Sequence, residues 1–341
     1  MLVDMDAFYT ACEEVRNPKL KGKLLAVGAD PKQGKGRGVI ATANYAARKY
    51  GLSSGMPVSI AYRKCPDCVF LPVDMEYYVE VSERIMQILK KYADKFEQVS
   101  IDEAYLDVSS QESFEKAKEV AKKIKKEILQ KENLTCSIGI GPNKLIAKMA
   151  ASKNKPNGLT IVFHSGVQKF MDPLDVDELY GVGPKTTERL HELGISIIQQ
   201  LRHTSLETLK EYFGPSFGTY LREASRGIDE SPVSEEWVQK SAGRQFTFEK
   251  DTKDKVLLNK TMYEMVQDSF DQLKAGGFKS YRTVTIKVRY EDFETHTKAY
   301  TLKINALTVQ PAKNVARNLL KEFLRSEKKI RLIGVSLSKL Q

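Results

Sequence analysis

Two acidic clusters, far apart in the chain, constrain it more than any other feature: Asp4-Met5-Asp6, and the run Ser100-Ile101-Asp102-Glu103-Ala104-Tyr105-Leu106-Asp107. Both sit in short apolar stretches that read as strands. Leu2 and Val3 lead into the first; Phe96, Val99 and Ile101 alternate into the second, and Tyr105-Leu106 continue it. Carboxylates on a core-facing strand are costly, and several brought together repel one another unless positive charge lies between them. Hard divalent cations supply that charge, because Mg²⁺ takes oxygen ligands and keeps coordination positions for substrate phosphates. Two such ions ~4 Å apart hold both the attacking and the leaving oxygen of a phosphoryl transfer. Solvated strand ends are the plainer reading, and spacing alone leaves both open.

At 341 residues and 41% hydrophobic content the chain can bury more than one core. No apolar run reaches the roughly eighteen residues of a membrane span. Asp4 and Asp6 stand where a signal peptide needs a basic and then an apolar stretch, and the first strand begins so early that little is expected to precede it. Four cysteines (Cys12, Cys65, Cys68, Cys136) are too few for a disulfide scaffold of this size and fit a reducing, cytoplasmic setting. Cys65-Pro66-Asp67-Cys68 has metal-ligand spacing, but no second Cys or His pair completes a zinc site. The net charge of +10 is uneven: residues 241–341 hold 20 Lys+Arg against 11 Asp+Glu, and residues 1–240 hold 34 against 33. A basic C-terminal third on a near-neutral body suits a polyanion-binding module.

Residues 10–73 break into short elements at Asn17-Pro18, Asp30-Pro31 and the Gly34-Lys35-Gly36-Arg37-Gly38 stretch. That stretch lacks the Gly-Lys-Ser/Thr of a Walker loop and reads as a flexible basic hairpin. Helical periodicity is expected over 75–95 and 113–131, a strand at 135–140 and a helix at 144–152. Asp175 to Leu193 reads as helix, glycine turn, helix, and 230–240 as an exposed linker. Beyond it, strands near 243–248, 284–290, 300–304 and 333–337 alternate with helices at 255–274 and 311–325. Acid-bearing strands backed by helices give an α+β multidomain fold.

Several stretches together resemble the Y-family, or lesion-bypass, DNA polymerases, and most closely their DNA polymerase IV/kappa branch. They are Val3 to Tyr9, Ala41 to Lys49, Ser100 to Asp107, Gly141-Pro142-Asn143-Lys144, Lys155-Pro156-Asn157-Gly158 and Gly181-Val182-Gly183. They occur in the family's order and cover nearly the whole chain. The resemblance implies a right-hand polymerase: palm at 1–9 and 74–162, small fingers at 10–73, helical thumb at 163–229, linker at 230–240 and an α/β little finger at 241–341.

It also implies roles. Asp4, Asp102 and Glu103 would hold two Mg²⁺ ions, with Mn²⁺ as the alternative and the Met5 carbonyl assisting. Thr42, Tyr45, Arg48 and Lys155 would meet the triphosphate, Phe8 and Tyr9 would lie against the sugar, and Tyr9 would be the steric gate that excludes a 2′-hydroxyl. On a helix, Tyr45 and Arg48 share a face. Ala7 is small where some relatives carry a larger residue. Asp6 and Asp107 are read as structural acids. Gly181, Gly183 and Lys185 of a helix-hairpin-helix would bind a DNA phosphate through exposed N–H groups, with Arg244 and Arg331 adding contacts.

The implied activity is template-directed, low-fidelity nucleotide addition without proofreading. The partners are primer-template DNA and deoxynucleotides, the working form is a monomer, and no membrane is involved. A sliding clamp is a further implied partner, although the chain closes at Ser338-Lys339-Leu340-Gln341 without the family's short aromatic tail. A two-metal nuclease or cyclase would not need Tyr9 or the basic C-terminal module. A non-catalytic DNA-binding subunit would not need all three acids.

Overall fold

In the computed structural model, which describes residues 1–236 and 238–341, the chain opens with a fully buried strand, β1 (Leu2–Met5), and turns at once into α1 (Phe8–Arg16). Ala7 makes that turn in the left-handed region at φ 46°, and the Thr10 hydroxyl donates back to its carbonyl at 2.8 Å. A small sheet of order β3-β2-β4 follows, from β2 (Leu25–Gly28), β3 (Ile40–Ala43) and β4 (Val69–Leu71), with α2 (Tyr45–Arg48) and α3 (Val58–Lys64) between the last two. The glycine-rich stretch belongs to the β2–β3 connection. There the Pro31 carbonyl accepts from the N–H groups of Gly34 and Gly36 at 2.8 and 2.7 Å.

Next come α4 (Met75–Lys90), β5 (Lys95–Gln98), β6 (Glu103–Asp107), α5 (Phe114–Glu132), β7 (Cys136–Ile140), α6 (Lys144–Lys153) and β8 (Leu159–Ile161). The five strands lie in the order β5-β6-β1-β7-β8, so β1 is central. Both long helices start at side-chain caps, Asp74 accepting from Tyr77 N and Ser113 from Lys116 N. They bury one face each, including Val81, Ile85 and Leu89 on α4 and Ile124 and Ile128 on α5. Each such aliphatic side chain contributes about 1.5–3 kcal/mol, which fixes the sheet that carries the acids.

The following region is helical: α7 (Val167–Met171), α8 (Pro184–Glu192), α9 (Ile198–His203), α10 (Leu206–Phe213) and α11 (Pro215–Ala224). Its core gathers Leu190, Leu201, Leu209 and Leu221, together with Leu145, Ile146, Met149 and Ala150 of α6. These elements belong to one unit, Met1–Glu236; the second is Trp237–Gln341. The second unit comprises β9 (Ser241–Thr252), α12 (Lys255–Ala275), β10 (Tyr281–Tyr290), β11 (Thr295–Ala306), α13 (Gln310–Phe323) and β12 (Ile330–Ser338). Its antiparallel sheet, ordered β11-β10-β12-β9, has its own core with the two helices, so all four expected strands and both helices are present. No described helix is long and apolar enough to cross a membrane.

Four expectations are corrected. Val99 and Ile101 are not strand residues: the chain pairs β5 with β6 antiparallel, and residues 99–102 form the turn between them. A palm boundary after residue 9 cuts through α1, whose Phe8 and Cys12 lie in the palm core. Ahead of the glycine turn stands only a single 3-10 turn, Val176–Glu178, in place of a full helix. Residues 230–236 are exposed but not a free linker. Ser234 N donates to Glu97 Oε2 at 3.0 Å and Lys144 Nζ to the Pro232 carbonyl at 3.2 Å, and Val233 packs beside Leu2 and Tyr105. Trp237 of that linker lies outside the described residues.

Candidate active site

The central strand sets the geometry. Asp4 on β1 pairs directly with Glu103 at the start of β6, and Met5 N donates to the Asp102 carbonyl at 2.9 Å, stitching the β5–β6 turn to the end of β1. The three acids proposed from sequence therefore come from the paired ends of β1 and β6 and the adjoining turn. Asp102 is held by Ser100, whose Oγ donates to Oδ1 at 2.6 Å.

Two ammonium groups already sit on Asp4, which is only 4% exposed. Lys148 of α6 reaches Asp4 Oδ2 at 3.1 Å and also bonds Glu103 Oε1, while Lys155 bonds Asp4 Oδ1. Burial alone would raise the Asp4 pKa, but the hydrogen bond with Glu103 and the charges of Lys155 and Lys148 hold it below the usual carboxylate value. Glu103 is pushed up to about 7, by burial first and then by the hydrogen bond with Asp4 and its charge. Lys148, conversely, is raised by the two acids despite burial. Lys148 was not singled out from sequence; four residues after Lys144, it shares a helix face with another lysine and so resembles part of a solvated surface.

Asp6 is equally buried and fully engaged. It accepts from Ser137 Oγ at 2.7 Å, Thr135 Oγ1 and Asn157 N at 2.8 Å each, and Tyr45 OH at 3.4 Å. It thus ties β1 to the start of β7, to the loop after Lys155 and to α2. Asp107 at the far end of β6 accepts from Ser109 Oγ at 2.6 Å, away from the cluster.

On α2, Asn44 caps the helix by accepting from Ala47 N at 3.0 Å. The Arg48 guanidinium stacks over Tyr45, 4.7 Å from its ring centroid, and Nε donates to the Ala43 carbonyl at 2.9 Å. Burial, then the Asp6 charge, push Tyr45 up to about 12. Thr42 is half-buried on β3. Tyr9 is half-buried and stacks on Tyr78, with ring centroids 4.4 Å apart and planes 11° apart. Burial and then the charge of Asp102 raise its pKa. Phe8 is only 2% exposed and belongs to the core, so its ring is a packing group and not a free sugar-facing surface.

In the thumb, Gly181 adopts φ +88°, and a Cβ there would lie 2.8 Å from the Tyr220 hydroxyl oxygen. Gly183 precedes Pro184 at the first turn of α8, and Lys185 is exposed. In the second unit Arg331 is engaged internally, near Asp251 at 3.7 Å and over the Phe293 ring at 4.5 Å. Arg244 is exposed but pairs with Val335, in register with the core-facing side of the sheet. The opposite face presents Lys287 and Arg289 on β10, in register with Gly334 and Leu332. Strict alternation through Val284, Ile286, Val288 and Tyr290 could have singled these two out. A cavity of about 500 Å³ lined by Met1, Phe114, His164 and Pro232, among others, holds none of Asp4, Asp102 or Glu103.

Comparison with known proteins identifies the arrangement. The impB/mucB/samB family matches residues 3–152, its C-terminal domain residues 239–341, and the thumb domain of DNA polymerase-iota residues 177–229. DNA polymerase IV of Methanoculleus marisnigri is 44% identical over 339 residues, covering 99% of this chain and 93% of that protein. DNA polymerase IV 2 of Methanosarcina mazei is 42% identical over 340 residues, covering 99% and 91%. The chain belongs to the Y family of DNA polymerases. Among solved structures, this polymerase resembles a Y-family chimera of Dbh and Dpo4 (TM-score 0.89, 36% identity, 99% and 98% coverage). It also resembles an insertion ternary complex of Dbh DNA polymerase (TM-score 0.68, 35% identity, 99% and 98% coverage). It is a DNA-directed DNA polymerase of the translesion type.

A divalent metal requirement comes with that family. Among the described residues no three acidic side chains converge as a ready-made cage, because Asp102 is turned to Ser100 and Lys148 bridges the other two. The donor set nevertheless fits: all-oxygen ligands suit a hard cation, and two ammonium groups mark where positive charge is wanted.

Proposed function

We propose that this polymerase extends a primer 3′ end through Asp4, Asp102 and Glu103 acting on two Mg²⁺ ions, with Mn²⁺ able to substitute and the Met5 carbonyl as an additional ligand. The observation that carries the reading is the direct pairing of Asp4 with Glu103 across adjacent central strands, with Asp102 in the adjoining turn. Bound there, the metals would lower the pKa of the primer hydroxyl and neutralise triphosphate charge.

The chain's own groups do the rest. Arg48, half-stacked on Tyr45, and Lys155 supply cations for the β- and γ-phosphates, with Thr42 beside them. Tyr9, braced on Tyr78, fills the space beside the sugar. Ser100 keeps the Asp102 carboxylate oriented, and Asp6 fixes the relative positions of Tyr45 and the loop after Lys155. The division into palm, fingers, thumb and little finger is supported by a hydrophobic core centred in each, with α6 of the palm contributing to the thumb core. Gly181, Gly183 and Lys185 approach a DNA phosphate, and Lys287 and Arg289 on the open sheet face extend the contact. The partners are primer-template DNA and deoxynucleotides. The working form is a cytoplasmic monomer, with a sliding clamp as a further partner.

Primer extension by Asp102→Ala and Glu103→Ala tests the reading. Both variants are expected to lose nucleotide addition while retaining DNA binding, since catalysis here rests on electrostatics and positioning. Extension within about tenfold of wild type, well short of the loss expected for a group holding transition-state charge, would remove the metal assignment.

A further inference from the structure

Both carboxylate oxygens of Asp4 are occupied by cations of the protein itself. Lys148 takes Oδ2 at 3.1 Å and bonds Glu103 Oε1, so one ammonium bridges the two strands, while Lys155 takes Oδ1. Lys148 comes from the middle of α6, which is packed against both the sheet and the thumb core. Its side chain is 18% exposed and cannot swing freely into water. The ion pair therefore lies where a cation shared by Asp4 and Glu103 would have to sit. Two carboxylates this close, when both ionised, need positive charge between them, and a divalent ion shared by them must displace the ammonium that lies there.

We propose that Lys148 is a built-in counterion: it holds Asp4 and Glu103 in register while the metal position is empty and yields to the divalent cation when substrate arrives. The proposal rests on the reading of Asp4 and Glu103 as metal ligands. It makes Lys148 a positioning residue whose presence weakens metal binding to the free protein. Lys155 completes the device, because a triphosphate that draws its ammonium away frees Asp4 Oδ1 and makes nucleotide and metal arrive together.

The test counts free Mn²⁺ by its paramagnetic signal during titration of the full chain, without DNA or nucleotide. Lys148→Met is expected to bind Mn²⁺ at least about tenfold tighter than wild type, within the ordinary range for coupling between two sites. Lys148→Arg and Lys144→Met are expected to match wild type, the latter because Lys144 on the same helix pairs with Glu97 at 2.8 Å instead. Glu103→Gln should weaken Mn²⁺ binding in both backgrounds. If Lys148→Met binds no tighter than wild type while Glu103→Gln still weakens binding, the counterion proposal fails and the ligand assignment stands. If Glu103→Gln changes nothing in either background, the ligand assignment itself fails. Should Lys148→Met not fold, Lys148→Gln replaces it. Either neutral variant should melt below wild type in a chelator and recover with Mn²⁺; a gap that persists with the metal overturns the proposal.

Discussion

Replacing Asp6 with alanine is expected to cost about 3–5 kcal/mol of stability, because it leaves three closely bonded buried donors without an acceptor at about 1–3 kcal/mol each. The figure follows from its surroundings. The carboxylate is 4% exposed and accepts three bonds of 2.7–2.8 Å, from Thr135, Ser137 and Asn157, and a longer one from Tyr45. Hydrogen bonds to a charged acceptor contribute about 1.5–3 kcal/mol each, and bonds converging on one group do not add. The Thr135 and Ser137 hydroxyls can turn toward other acceptors, but the Asn157 N–H cannot. Asp6→Asn keeps one acceptor oxygen and should lose roughly half as much. Urea unfolding of the full chain, followed by far-UV circular dichroism, should show the transition of residues 1–236 moving to lower urea while that of the second unit stays fixed. Nucleotide KM should rise more than kcat falls, because Tyr45 and the loop after Lys155 lose their common anchor. An unfolding free energy for Asp6→Ala within about 0.5 kcal/mol of wild type, the scatter of an ordinary surface substitution, would refute the reasoning.

Tyr9→Ala should admit ribonucleotides while leaving deoxynucleotide addition largely intact, since a clash is removed and no attraction added; unchanged sugar discrimination in single-nucleotide insertion would place the gate elsewhere. Deleting residues 237–341 should weaken DNA binding and flatten its salt dependence, by roughly one unit of log–log slope for each phosphate that is no longer neutralised. Affinity measured across a salt series decides this, and equal slopes would assign the grip to the first unit. All four cysteines are buried, and burial pushes Cys12, Cys68 and Cys136 up to about 12. Native protein should therefore resist a disulfide thiol reagent that labels four sites after unfolding, and rapid native labelling of two or more would contradict that packing.

Long periodic segments were legible in advance. The helices near 75–95, 113–131, 255–274 and 311–325 announce themselves by three-four spacing over ten or more residues, and the strands of the second unit by shorter apolar runs of five to seven residues. What failed was short or tertiary. Val99 and Ile101 alternate with polar neighbours as a strand would, yet a five-residue run cannot show that the chain reverses there. The start of α1 at Phe8 depends on Ala7 entering the left-handed region, a conformation its side chain does not advertise. The segment 230–236 has a linker's composition, and only the distant Glu97 and Lys144 hold it down. At the site, the roles of the three acids and of Tyr45 with Arg48 came from the family resemblance; only the two acidic clusters themselves were readable from type and spacing. Lys148 was not, because a helix-borne lysine gains its meaning only from the strands packed beneath it. Arg331 shows the reverse: a basic residue in a basic module, already engaged with Asp251 and Phe293.

Helix α6 has one further consequence. It lies against the central sheet with one side and contributes Leu145, Ile146, Met149 and Ala150 to the thumb core with the other, so the two regions share a wall and have no clean seam between them. Anyone recombining thumbs between relatives would draw the crossover at residue 163 from sequence. Cut there, the foreign thumb meets a wall shaped for its predecessor, and the mismatch falls on the helix that positions Lys148. The natural module of exchange begins at Lys144. A graft made at that point carries its own packing surface, and the lysine beside the acids, along with it.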